Sequence, residues 1–163
     1  MQHLLQRLER KESSHKGQNG KFGVIGGSRD FSGAPALNAH GALRMGADLV
    51  NILTSETVSD VVRSCSENFI VEGCSSGHFN EEAAVHADKL FEWSDAIVVG
   101  LGLSEPDESA LKELAKISDA SFVVDEDAIP AVAIADFSQA VFTPHRGEAE
   151  FLREEFSFME SFV

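Results

Sequence analysis

Residues 95–102 read DAIVVGLG. Ile97, Val98 and Val99 are apolar at consecutive positions, and glycines close the run. A strand with one wet face alternates apolar and polar side chains. A run apolar on both faces belongs to a sheet covered on both sides, as parallel strands joined by helices are. SFVVDED (121–127) repeats the pattern, and KFGVIGG (21–27), ADLVNILT (47–54), NFIVEGC (68–74) and AVFT (140–143) complete six candidate strands. Between them, residues 33–47, 55–65, 81–93 and 105–117 carry apolar residues at spacings of three and four, the signature of amphipathic helices. This alternation predicts an α/β fold of three layers, a mostly parallel sheet with helices on both faces.

The chain has 163 residues, a length that fits one domain over 1–163 with a self-sufficient core. The polar, Gly-containing stretch KESSHKGQNG (11–20) reads as a linker between an opening amphipathic helix and the first strand. No apolar run approaches the ~20 residues of a membrane helix, and MQHLLQRLERKE is too charged for a signal peptide. The expectation is a soluble, cytoplasmic protein with no membrane partner. A net charge of −14, from 27 acidic and 13 basic residues, argues against nucleic acid, which needs clustered Lys and Arg. The acid is spread along the chain, as on the heavily hydrated surfaces of salt-adapted proteins or on an ordinary acidic protein. Cys65 and Cys74 form no CxxC pair and are expected as reduced thiols.

In open parallel sheets ligands bind beyond the carboxyl ends of the strands, so the chemistry is sought in GGSRDFSGAP (26–35), GLGLSEPDE (100–108), DEDAIP (125–130) and TPHRGE (143–148). Glycine-rich turns let backbone approach a ligand, and a helix starting near Gly33 aims its first amides at an anion. Taken singly, each stretch is weak. GGSRDFSG lacks the GK[ST] ending of a P-loop, GLGLSE has Glu105 where a third glycine belongs, and Ser28 and Ser32 have no general base at a recognisable spacing. His145 and Glu148 form HxxE, which is half a metal site or a histidine capping a turn. Asp125 and Asp127 either orient a Mg²⁺-bound phosphate or cap the helix begun by AIPAVAIA.

Taken in order, the stretches do more. HKGQNGKFGVIGGSRDFSGAP (15–35) resembles the opening of the ADP/ATP-dependent NAD(P)H-hydrate dehydratases of the ribokinase-like superfamily. VVGLGL (98–103) is similar to that family's GPGL turn, VVDEDAI (123–129) to its DADAL segment, and TPHRGEAEFL (143–152) to its TPHPGEF corner. The resemblance implies a lyase of metabolite repair: ADP or ATP, with Mg²⁺, phosphorylates the ring hydroxyl of hydrated NADH or NADPH, and phosphate then leaves. It assigns hydrated-dinucleotide contacts to Gly33, Ala34, Gly102 and His145; Asp125, Asp127 and Glu148 are candidate residues for the phosphate and Mg²⁺ side.

Two departures stand out: Leu101 replaces the proline of GPGL, which predicts a looser turn, and Arg146 adds a cation to the corner. AEFLREEFSFMESFV (149–163) matches neither the family's lysine-containing segment nor the GGTGD loop that carries its proposed base. The resemblance therefore covers a truncated, N-terminal half and assigns no catalytic residue. The alternative to a dehydratase is an inactive remnant, or a binding subunit needing a separate chain with the nucleotide-binding half. Phe156, Phe158, Met159, Phe162 and Val163 in the tail predict self-association or cover by another chain.

Overall fold

The computed structural model describes residues 12–74, 79–106, 108–117, 120–130 and 139–160. The expected opening helix, Phe162 and Val163, and the side chains of Phe156, Phe158 and Met159 lie outside the described residues. Six strands form one sheet: β1 (Lys21–Gly26), β2 (Leu49–Ser55), β3 (Phe69–Cys74), β4 (Ala96–Leu101), β5 (Ser121–Val124) and β6 (Ala140–Phe142). Every pairing is parallel, in the order β3-β2-β1-β4-β5-β6. The helices are α1 (Gly33–Met45), α2 (Glu56–Arg63), α3 (Glu81–Trp93), α4 (Glu108–Ile117) and α5 (Arg146–Glu160). Among the described residues, no helix is long and apolar enough to cross a membrane.

Local chemistry sets the boundaries. Ser55 ends β2 and starts α2, its Oγ accepting the Thr57 N–H at 3.3 Å, so one residue serves as last strand position and cap. Within α2, Val58, Ser59 and Val62 are buried, a three-and-four spacing that turns one face to the sheet. The doubly apolar strands are doubly covered, as expected. On one face Val24, Ile52 and Val98 pack with Ala36, Ala39 and Val62 of α1 and α2; on the other Ile25, Ile97 and Val99 pack with Ala83, Ala87 and Leu90 of α3 and Leu111 and Leu114 of α4. Each fully buried Val, Ile or Leu contributes roughly 1.5–3 kcal/mol, so these two layers dominate the stability.

Cover is uneven along the sheet. Val71, Ile52, Val24, Val98, Val123 and Val141 form one row across all six strands on the α1 and α2 face. The row is sealed at Ile52 and Val24, half-buried at Val123 and 61% exposed at Val141. Leu37 and Met45 of α1 are also exposed. Beside them, at the amino ends of β1 and β4, a cavity of about 1100 Å³ has Phe22, Ala42 and Ala96 in its lining.

The expected linker is tied down. Asp48 Oδ2 accepts the Gly17 N–H at 2.9 Å, the Asn19 N–H at 3.0 Å and the Asn19 Nδ2 amide at 2.9 Å. The HKGQNG segment is thus latched to the turn before β2, at the amino end of the sheet. Cys65 is exposed, Cys74 is buried, and both are free thiols.

The strand order contains one reversal. The chain winds from β1 through β2 to β3, then re-enters on the other side of β1 as β4. Connections leaving β1 and β4 diverge to opposite faces, which opens a crevice beyond their carboxyl ends.

Candidate functional site at the strand switch point

Two turns meet at that crevice. After β1, the Gly27 N–H donates to the Leu101 carbonyl at 2.8 Å. After β4, Gly102 sits at φ +63°, and a Cβ there would lie 2.4 Å from the Phe31 Cβ. Both the backbone angle and the close approach therefore demand glycine. Leu101 is buried, so packing and the Gly27 bond hold the turn that the absence of the family's proline predicted to be looser. Ser28 Oγ lies 2.9 Å from Ser104 Oγ, which bridges the two turns and gives neither serine a base.

The end of β5 braces the same turn. The Gly102 N–H donates to Glu126 Oε2 at 2.9 Å and the Ser104 N–H to Asp127 Oδ2 at 2.9 Å. Asp125 Oδ1 accepts the Glu126 N–H at 3.0 Å, capping a short 3-10 turn over Glu126–Ala128. Ser104 (φ +69°) and Glu126 (φ +42°) are the non-glycine residues with positive φ among the described residues. Such backbone costs of order 1–3 kcal/mol each and persists where surrounding contacts over-determine it; here the two carboxylate bonds do so.

Asp125 and Asp127 are therefore engaged with backbone amides. Among the described residues, no group of three or more His, Cys, Asp or Glu is arranged to hold a metal ion, so these carboxylates do not by themselves fit a resident Mg²⁺.

At the end of β6, the Thr143 N–H donates to the Val124 carbonyl at 3.1 Å, fixing the corner that follows. His145 is the cap of α5. Its Nδ1 accepts the Gly147 N–H at 3.0 Å and the Glu148 N–H at 3.2 Å, while its own N–H donates to Glu148 Oε2 at 2.8 Å. This is the reciprocal arrangement of a capping box, with a histidine in the usual serine position. As an acceptor Nδ1 carries no proton, and Nε2 faces Glu148 Oε1 at 3.2 Å. The ring remains largely exposed. Arg146 Nε lies 3.3 Å from Glu150 Oε1 with its side chain in solvent.

The expected site residues fall on one edge of the sheet. Gly33 and Ala34 open α1, Gly102 follows β4, Asp125 and Asp127 follow β5, and His145 and Glu148 follow β6. Gly102 is joined directly to Phe31 and Glu126, whereas His145 stands two strand spacings from β4, roughly 10 Å. Gly33 is exposed with no atom within 4 Å of where its Cβ would be. Ser32 at the cap makes no side-chain bond to the first turn of α1, so those amides have no side-chain cap. Phe31, Ser104 and Glu126 were not singled out by the sequence. Their roles depend on contacts between separate turns, which leave no periodic signal.

A family profile described as NAD(P)H-hydrate dehydratase matches residues 22–160, including every residue placed around the crevice. The chain belongs to that family. It is 33% identical over 158 residues to an ADP-dependent (S)-NAD(P)H-hydrate dehydratase of Haloterrigena turkmenica, covering 97% of this chain and 62% of that one. Two solved structures share the fold of this chain. One, a ribokinase-like superfamily protein of Enterococcus faecalis, is 24% identical with a TM-score of 0.72, covering 90% of this chain and 54% of that one. The other, the ADP/ATP-dependent NAD(P)H-hydrate dehydratase of Bacillus subtilis co-crystallised with ATP/Mg²⁺, is 26% identical with a TM-score of 0.70, covering 88% and 50%. The three-layer, ribokinase-like α/β fold expected from the sequence is thus the fold of this chain, which spans between half and two thirds of the length of these relatives.

Proposed function

We propose that this chain serves the nucleotide-dependent repair of hydrated NADH and NADPH, as the substrate-binding part of a dehydratase acting in the cytoplasm. In this reading residues 1–163 are one partial domain. Gly33, Ala34, Gly102 and His145 contact the hydrated dinucleotide. Asp125, Asp127 and Glu148 shape the phosphate side by fixing the turns. ADP or ATP donates a phosphoryl group to the ring hydroxyl oxygen, and Mg²⁺ arrives with that nucleotide. The ring carbon–oxygen bond then breaks, inorganic phosphate leaves, and a neighbouring carbon gives up a proton to restore the dihydropyridine.

Family membership supports this reading, and one observation carries it: the first turn of α1, whose amides have no side-chain cap, opens at the switch point beside the Gly102 turn, where a helix N-terminus receives an anionic ligand group. The test is to incubate the pure protein with hydrated NADH, Mg²⁺ and either nucleotide. Recovery of dihydronicotinamide absorbance supports the reading; dinucleotide binding that leaves Ala34, Gly102 and His145 untouched refutes it.

A second reading, a binding half without turnover of its own, is favoured by the incompletely covered face at Val123, Val141, Leu37 and Met45. On this reading a polypeptide carrying the nucleotide-binding half covers that face. Supplying the remaining half of a longer relative then raises the melting temperature and brings on dehydratase activity. A stable monomer that gains neither is not such a half.

A further inference from the structure

The Gly102 N–H is the backbone donor that the Gly102 turn would offer a ligand, and it is already taken. Its acceptor, Glu126 Oε2, is 2.9 Å away. An N–H has one hydrogen to give, so an acceptor oxygen of a bound dinucleotide reaches it only after the carboxylate has withdrawn. Three features make withdrawal feasible. Glu126 is exposed, so its carboxylate returns to water without losing buried contacts. Its backbone is held by the 3-10 turn itself, the Ile129 N–H donating to the Glu126 carbonyl at 3.0 Å, so the side chain leaves by turning about its own bonds while the turn stays in place. The turn does not collapse on release, because the Ser104 N–H stays on Asp127 Oδ2 and the Gly27 N–H on the Leu101 carbonyl.

We infer that Glu126 is a specificity residue of the crevice: its carboxylate holds the Gly102 amide in the free protein and yields it to a ligand oxygen that binds better. This rests on the proposed dinucleotide site. The carboxylate sets a threshold, because a ligand must replace a charge-assisted hydrogen bond and not merely a water. Asp125 and Asp127 flank Glu126 and keep the local field negative once it swings out. An incoming phosphate oxygen therefore meets repulsion that a ring carboxamide or hydroxyl oxygen does not.

The experiment combines amide NMR with calorimetry on wild type, Glu126→Ala and Glu126→Gln. The probes are NADH and reduced nicotinamide riboside, which lacks the phosphates. In the free Glu126→Ala protein the Gly102 amide resonance moves upfield as its bond is lost, while the Ser104 amide stays in place. NADH then binds Glu126→Ala three- to tenfold more tightly than wild type, with Glu126→Gln between them. A gain confined to NADH identifies a phosphate oxygen as the competitor, and an equal gain for the riboside identifies a ring oxygen. An unmoved Gly102 amide, or weaker NADH binding by Glu126→Ala, overturns the inference. If NADH moves Ala34 and His145 but binds all three proteins alike, the site stands and the role of Glu126 falls. If NADH moves none of them in any protein, the dinucleotide site itself is wrong and this role falls with it.

Discussion

His145 and Glu148 hold each other at the start of α5: the His145 N–H donates to Glu148 Oε2 at 2.8 Å and the Glu148 N–H donates to His145 Nδ1 at 3.2 Å. A residue that caps a helix and is also proposed to touch a ligand can be lost for either reason, and substitution separates them. His145→Ala removes the cap and is expected to cost about 1 kcal/mol. His145→Asn keeps an acceptor for the first-turn amides, restores most of that stability in a urea melt, and still binds dinucleotide poorly. Equal dinucleotide affinity for His145→Asn and wild type would leave His145 with the cap alone.

Gly100 joins β4 to the end of β5. It sits at φ +120°, and a Cβ there would lie 1.7 Å from the Asp125 carbonyl oxygen. Neither a rotamer change nor a small shift relieves a clash with backbone. Gly100→Ala is expected to destabilise the fold by about 3 kcal/mol or more, and to separate the carboxylates of 125–127 from the turn they brace. Denaturant unfolding measures the loss; a change under 1 kcal/mol would mean that the β4–β5 junction is far more pliable than its geometry implies.

Asp48 accepts three donors from residues 17 and 19 at the amino end of the sheet, far from the crevice. Asp48→Ala leaves those amides without their acceptor and is expected to lower stability by about 2 kcal/mol. Dinucleotide affinity measured well below the melting temperature should be unchanged. A matching loss of affinity would connect HKGQNG to binding, against its position.

With a net charge of −14, the folded chain repels itself, and added salt relieves this. Raising KCl from 0.1 M to 1 M shortens the screening length from about 10 Å to about 3 Å. The melting temperature is expected to rise by roughly 2–4 °C, the equivalent of about 1 kcal/mol for a chain of this size. A flat or falling profile would show that the acidic surface does not limit stability.

The sheet was legible because each strand announces itself twice, by apolar residues on both faces and by glycine or polar residues at its ends. DAIVVGLG contains β4 with one extra residue at each end, and KFGVIGG overruns β1 by one. SFVVDED overran by more: β5 stops at Val124, because Asp125 turns the backbone by capping the residues after it. The positions of Gly102 and His145 were legible through motifs. The partners that fix them were less so. HxxE at 145–148 favours a cap over a metal half-site, and the direction of the ring nitrogens decides for the cap. Glu126, between two aspartates at a strand end, looks like surface charge until the chain folds and brings Gly102 within 2.9 Å.

The strand order also governs when the crevice can exist. β1, β2 and β3 are consecutive in sequence and neighbours in the sheet, β2 pairing with both of the others, so every strand of this unit is present once residue 74 has been made. Until residues 96–101 arrive, the other edge of β1 is a row of unpaired backbone groups, the kind of edge that recruits stray strands. The two walls of the crevice come from opposite sides of that gap, so the ligand site cannot form before β4 has been made. A chain stalled between α3 and β4 would hold half a core, an open edge and no site, and would be a natural target for chaperones.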